Sequence, residues 1–108
     1  MSDQVGQLEQ HVLLAIMRKQ PTAYGVSIQQ ELLLRTGRDH SAGAIYTTLE
    51  RLVRKGFLKS KDGEPTPERG GRKKLYFSLT ASGEAALSNS LKAVGSLARG
   101  TKVAEVLA

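Results

Sequence analysis

The feature that most constrains this chain is a change in the period of its apolar residues near Gly56. Before that point, Val5, Leu8, Val12 and Ile16 recur at steps of three and four, and Leu13 and Met17 widen the stripe. That spacing puts apolar side chains on one face of a helix, so a helix is expected over residues 4–19, stopped by Pro21. Thr22 can cap a second helix whose Gly25, Ile28, Leu32 and Leu33 face inward, and Gly37 ends it. Ser41 is the cap candidate for a third helix, about 42–55, with Ile45, Leu49, Leu52 and Val53 on its apolar face and Gly56 as its terminator. Beyond Gly56 the period drops to two. Residues 57–61 read as a short strand, and "DGEPTPERGG" is a long turn, too rich in Pro and Gly for regular structure. Leu75, Phe77 and Leu79 alternate with Tyr76 and Ser78 as the returning strand. Either parity can face the core, because Tyr76 is also large and apolar. The helical period then resumes. Thr80 caps a last helix with Glu84 in its first turns and a stripe of Leu87, Leu91, Val94 and Ala98. Gly95 and Gly100 weaken it, each by about 1 kcal/mol relative to Ala in a helix interior, and the tail "TKVAEVLA" either extends it or frays.

Three helices, a hairpin and a helix make a mainly α fold with a β-hairpin. The order is that of a winged helix-turn-helix followed by a C-terminal helix. At 108 residues the chain suits a single domain. The expected division is a winged helix-turn-helix unit over 1–80 and a dimerisation helix over 81–108, continuous with it. A last helix with an apolar stripe, following a domain already closed, tends to pair with a second copy of itself. Leu8, Leu87, Leu91, Val94 and Ala98 are therefore the expected interface of a homodimer. The alternative is that this helix folds back on its own domain.

Charge points to a partner. Between Arg51 and Lys74 stand nine basic residues against Asp62, Glu64 and Glu68, so this segment carries the whole formal charge of +6 and the rest of the chain is neutral. A neutral body with one basic segment is the footprint of a protein that meets a polyanion; the plainer alternative is a solvated, solubilising face. In the winged fold the third helix enters the major groove and the hairpin lies beside the flanking backbone. With the core claiming one side of helix 42–55, its outer side is Gly43, Tyr46, Thr47, Glu50, Arg51 and Arg54. Small residues at its start (Ser41, Ala42, Gly43) allow close approach to the groove, and Tyr46 and Thr47 offer hydroxyls and can touch a thymine methyl. Arg51 and Arg54 suit phosphates. Arg69, Arg72, Lys73 and Lys74 place a basic wing, 62–74, against the backbone, where Gly70 and Gly71 permit close contact. The expected DNA-binding set is thus Ser41, Gly43, Tyr46, Thr47, Arg51, Arg54, Arg69, Arg72, Lys73 and Lys74.

These residues resemble the PadR-like transcriptional regulators over about 10–87. "AYGVSIQQEL" looks like that family's second helix, "SAGAIYTTLERLVRKGFLKS" its recognition helix, and "GGRKKLYFSLTASGEAAL" its wing and the start of the last helix. The resemblance implies a dimeric repressor that binds an inverted repeat in a promoter, with Tyr46 and its neighbours in the groove. The short C-terminal region looks like that of the compact subclass with a single C-terminal helix. Val26 stands where an aromatic residue is frequent. Some compact relatives take a flat aromatic small-molecule effector between subunits by tryptophan stacking. This chain has no Trp, so that arrangement does not carry over, and an effector of unnamed chemistry is the only small-molecule partner implied.

Other classes are weaker. With no Cys, disulfides and thiolate metal sites are excluded, and a reducing cytoplasm fits. His11 and His40, the only histidines, fall in different segments; no acidic cluster has metal-ligand spacing and no serine sits in a nucleophile elbow. Neither a catalytic residue, a metal nor a cofactor is expected. No apolar run nears the roughly 20 residues a membrane span needs, and "MSDQVGQLEQ" lacks the pattern of a signal peptide. The strongest rival is a winged helix used for protein contacts without sequence-specific DNA binding, although such modules often lose the basic wing. RNA is disfavoured by the want of an aromatic stacking platform on the strands.

Overall fold

The first helix begins later than the periodicity predicts, and a buried carboxylate explains why. In the structure, a computed structural model that describes residues 4–65 and 73–104, α1 spans Gln7–Lys19. Glu9 Oε1 accepts the Gly6 backbone N–H at 2.8 Å, and Lys55 Nζ donates to the Gln4 carbonyl at 3.0 Å. These bonds hold residues 4–6 extended as the lead-in to the helix. α2 spans Gly25–Thr36 with Tyr24, not Thr22, at its N-cap. Thr22 cannot serve because Ala23 is drawn into a bridge with Phe77, whose N–H donates to the Ala23 carbonyl at 2.8 Å. That keeps the backbone extended up to Tyr24. Gly37 ends α2 in the left-handed region, φ 74°, as expected.

α3 spans Ala42–Arg54 and is capped by Ser41, whose Oγ accepts the Ala44 N–H at 3.1 Å. β1 (Leu58–Pro65) and β2 (Lys73–Leu79) form a two-stranded antiparallel hairpin. Leu58 pairs with Leu79, and the register runs regularly to Asp62 and Leu75. It then shifts, so that Pro65 faces Lys73 and β1 carries one residue more than β2, a bulge. Strand β1 therefore extends into what the sequence reads as turn. α4 spans Ala81–Ala98, and Thr80 Oγ1 accepts the Gly83 N–H at 3.0 Å. Gly100 at φ 84° follows its end, so the stretch described beyond it does not continue the helix.

The core lies where α1, α2, α3, the base of the hairpin and the start of α4 meet. Val12, Leu13 and Ile16 come from α1, Ile28 and Leu32 from α2, and Ile45, Leu49 and Leu52 from α3; Phe57, Leu58, Phe77, Leu79 and Leu87 close it. Each large side chain so buried stabilises the fold by about 1.5–3 kcal/mol. Phe77 and Leu79 settle the parity of β2, while Leu75 lies beyond the edge of the core and is exposed. Leu33 and Val53, expected inside, are 46% and 40% exposed. Each follows a buried leucine by one position, about 100° around the helix, which carries it off the packed face. Thr48 takes the inward place on α3, its hydroxyl donating to the Ala44 carbonyl at 2.8 Å.

Two buried acids tie the helices together. Glu31 on α2 accepts from Arg35 at 2.6 Å and Arg18 at 3.1 Å, with Lys19 at 3.6 Å. Glu9 joins α1 to the end of α3, meeting Lys55 Nζ at 3.0 Å with Arg51 at 3.9 Å. The start of α4 is set by backbone contact. Thr80 and Ser82 hydroxyls both donate to the Gly56 carbonyl, at 2.6 and 3.0 Å. A Cβ on Gly83 would collide with the Phe57 carbonyl oxygen, so only glycine lets the helix settle there. Farther along, Gln10 Nε2 donates to Ser90 Oγ at 2.7 Å, tying α4 to α1.

Candidate nucleic-acid interface

The core claims Ile45, Leu49 and Leu52 of α3, which turns the opposite side outward in two rows of four-residue steps. One row is Gly43, Thr47 and Arg51; the other is Tyr46, Glu50 and Arg54. All six are exposed, as is Ser41 at the cap. The second row faces the hairpin across a shallow cleft lined by Tyr46, Glu50, Val53, Arg54, Ser60 and Leu75. Helix and wing thus share one side of the molecule.

The positions differ in how free they are. Tyr46 is half exposed, but its phenol lies on the first residue of α2. A methyl group on Gly25 would stand 2.5 Å from Tyr46 Oη and 2.7 Å from Cζ. Glycine at that point leaves room for the ring, and α2 fixes where the hydroxyl sits. Sequence periodicity gave no sign of this contact; the "AYG" triplet is its only trace. Arg51, expected at a phosphate, is half exposed, with its guanidinium 3.9 Å from the Glu9 carboxylate. Its guanidinium adds to the positive charge that keeps Glu9 anionic. Arg54, Lys59 and Lys61 are exposed and form no ion pair among the described residues. Lys74 stands over the Tyr24 ring, Nζ 4.4 Å from its centroid. Arg69 and Arg72, and the side chain of Lys73, lie outside the described residues.

The electrostatics separate body from wing. Burial pushes the Glu9 carboxyl up, but the Gly6 N–H together with Lys55 and Arg51 outweighs it and holds the group below its ordinary 4.5. Glu31 is likewise held low, chiefly by its bond from Arg35, against burial and with help from Lys19 and Arg18. Both acids are anionic at neutral pH and pair with cations of the helical body, neither of them with a cation of the hairpin among the described residues. His11 is half-buried on α1 and His40 lies before α3, its carbonyl accepting from Gln29. Among the described residues no group of three acids or histidines could hold a metal, and no helix is long and apolar enough to cross a membrane.

The expected dimer residues divide. Leu87 is 2% exposed and belongs to the domain's own core, so it is not available to a second chain; it sits in the first turns of α4, which are pressed onto Phe57. Leu8 is partly buried against the same core, and Ala98 is half-buried. Leu91 and Val94 are 40% and 47% exposed, and Leu97, which the stripe omitted, is 82% exposed.

Comparison with known proteins agrees with this architecture. A Streptococcus transcriptional regulator is 29% identical, with 94% of this chain and 92% of that one aligned at a TM-score of 0.66. A PadR family transcription regulator from Clostridium difficile R20291 is 18% identical and superposes over 95% of this chain and all of its own, TM-score 0.73. Bacillus subtilis PadR, solved in complex with operator DNA, is 22% identical over 78% of this chain and 47% of its own, TM-score 0.63. The last two likenesses concern the fold. No curated protein matches the chain significantly. The sequence model of the transcriptional regulator PadR-like family matches residues 13–89, which takes in α2, α3, the wing and the first half of α4. With its mainly α winged fold, this chain belongs to the PadR-like family of transcriptional regulators.

Proposed function

We propose that the chain is a DNA-binding repressor that sits on an inverted-repeat promoter operator as a homodimer in the cytoplasm. Residues 1–80 form its DNA-binding unit and 81–108 its dimerisation helix. α3 enters the major groove, with Ser41, Gly43, Tyr46 and Thr47 nearest the bases and Arg54 toward the backbone. The wing, with Arg69, Arg72, Lys73 and Lys74, lies on phosphates. Arg51 points toward the backbone as well, from a side chain that also lies 3.9 Å from Glu9. One observation carries this reading: the exposed polar face of α3 shares a side of the molecule with the hairpin, whose Lys59 and Lys61, like Arg54 of α3, are exposed and in no ion pair among the described residues. That is the arrangement a groove-reading helix with a backbone-gripping wing requires. The operator complex of Bacillus subtilis PadR, a protein of the same fold, supports it.

The dimer rests on Leu91, Val94 and Leu97. They form a partly exposed apolar row on α4 among the described residues, which a second α4 would bury. A two-fold pair would set its recognition helices about 34 Å apart, one turn of DNA. A small-molecule effector bound between the two copies would act by shifting the spacing or mobility of the two heads. The absence of Trp excludes tryptophan stacking as its mode of capture.

Selection of bound duplexes from a randomised pool tests the proposal. The expected product is a roughly palindromic site preferred about a thousandfold or more over random duplex, with affinity that falls steeply as salt rises. A protein that enriches no sequence even at low salt would overturn it. Repression is tested separately, with a reporter driven from a promoter carrying the selected site; unchanged or raised expression would remove that part.

A further inference from the structure

Tyr24 is not among the residues expected to touch DNA, yet two side chains of the outer hairpin meet its ring. Its backbone N–H and carbonyl are both held, and the Ser27 hydroxyl also donates to the carbonyl at 3.0 Å. The N–H donates to Ser27 Oγ at 3.0 Å, and the carbonyl accepts the Ile28 N–H at 2.9 Å, fixing Tyr24 as the N-cap of α2. The preceding residue, Ala23, is bridged to Phe77 of β2. The ring, half-buried, then makes two contacts with the hairpin. Tyr76 meets it edge-on, centroids 6.3 Å apart and planes at 60°, within the range of a favourable aromatic pair. Lys74 Nζ stands 4.4 Å from its centroid, close enough for a cation–π interaction. Tyr76 is in turn packed over Gly63, where a methyl group would come within 2.6 Å of Cε2.

These contacts lie where the hairpin changes register. Gly63 and Glu64 are the β1 residues opposite Lys74 in the bulge between the Asp62–Leu75 and Pro65–Lys73 pairs. A bulge bends and twists its strand, and beyond this one the hairpin leads into the basic segment. A bend that makes no contact with the body would leave the direction of the wing to fluctuate. The stack of Gly63, Tyr76, Tyr24 and Lys74 instead ties the bend to the N-cap of α2, beside the Gly25 on which Tyr46 rests. The cation–π contact uses the face of the ring rather than an acceptor atom, so the ammonium keeps its N–H groups for an anion.

We infer that Tyr24 is the positioning residue of the wing: it sets the direction of the outer hairpin relative to α2 and α3, and it holds the Lys74 ammonium on the DNA-facing side. The inference rests on the DNA-binding reading, and its test separates the two. Amide hydrogen exchange of the hairpin is measured on the full chain without DNA. Affinity is measured on the duplex selected by the wild-type protein and on a random-sequence duplex.

Tyr24→Leu is expected to speed exchange of the hairpin amides around the bulge by about tenfold while leaving those of α1 and α3 unchanged. It should weaken binding of both duplexes by about fivefold to tenfold, the signature of a lost backbone contact. Tyr24→Phe, which keeps the ring, should stay within about twofold of wild type in both measurements. In a Lys74→Met background the effect of Tyr24→Leu on affinity should shrink to about twofold, because the two residues act through one contact. Unchanged hairpin exchange in Tyr24→Leu overturns the inference, as does an affinity loss that is equally large without Lys74. If Tyr24→Leu does not fold, Tyr76→Leu breaks the same stack from the hairpin side and must give the same exchange signature. If the exchange changes as expected but the wild-type protein prefers no duplex and shows no salt dependence, the DNA reading fails, and Tyr24's part in binding fails with it.

Discussion

Gly83 shows how a single residue fixes a joint in this fold. By helix propensity alone, alanine at this position in α4 would be favoured by about 1 kcal/mol. The Phe57 carbonyl occupies the space its Cβ would need, and neither the backbone of Phe57 nor the capped turn above it can yield cheaply. Gly83→Ala is therefore expected to destabilise the protein by about 2–3 kcal/mol, a lowered melting temperature being the check. Glu9 supplies a second test at this scale. Its carboxyl lies below its ordinary value of 4.5 in the folded protein because the Gly6 N–H, Lys55 and Arg51 favour the anion more than burial opposes it. A depressed pKa means that the carboxylate stabilises the fold above pH 4.5, and that this contribution is lost as pH falls below 4.5 through the folded value. Glu9→Gln should cost about 1–2 kcal/mol at pH 7, and denaturant titrations should show its gap from wild type closing as pH falls below 4.5. Both acids sit on apolar stripes, Glu9 in step with Val12, Leu13 and Ile16, and Glu31 three residues after Ile28. An acid in step with a core stripe is the one sequence signal that it is buried and paired.

At the scale of the element, α3 and α4 face opposite demands. α3 buries one side and presents the other, and Tyr46 is the largest group on the presented side. Tyr46→Ala should weaken binding to the selected operator by about 1–3 kcal/mol and binding to random duplex much less; equal losses on both would mark it as a backbone contact. Because its phenol rests on Gly25 rather than on the core, the substitution should leave the melting temperature close to wild type. In α4 the division runs along the length. Its first turns carry Gly83 and Leu87 and belong to the domain, while Leu91, Val94 and Leu97 have no covering among the described residues. A Val94→Glu change sets like charges against each other across a two-fold helix pair. It should convert a dimer to a monomer in sedimentation experiments while leaving the circular dichroism of the domain intact. An unchanged sedimentation coefficient would place the interface elsewhere.

For the whole molecule the governing quantity is where charge is left unbalanced. The basic excess lies between Arg51 and Lys74, and the buried acids balance cations of the helical body, including Arg51 and Lys55 at the edge of that segment. Replacing Arg72 and Lys73 together by Ala should weaken binding to every duplex alike and reduce the slope of log affinity against log salt by about two. A slope identical to wild type would show that the wing is not at the phosphates.

The order of elements, the caps at Ser41 and Thr80, the stop at Gly37 and most of the core were legible from the residues alone. These follow from period, capping and turn chemistry, which act between residues a few positions apart. The sequence was also enough to mark the outer face of α3, because a face is defined by what its helix buries. Tertiary packing decided the rest. It set Tyr46 on Gly25, brought Lys55 to Glu9, bridged Ala23 to Phe77 so that α2 starts at Gly25, brought Leu87 into the core and seated Lys74 on Tyr24. Each of these contacts joins segments far apart in the chain, and its energy arises only once the helices have packed and excluded water from between them.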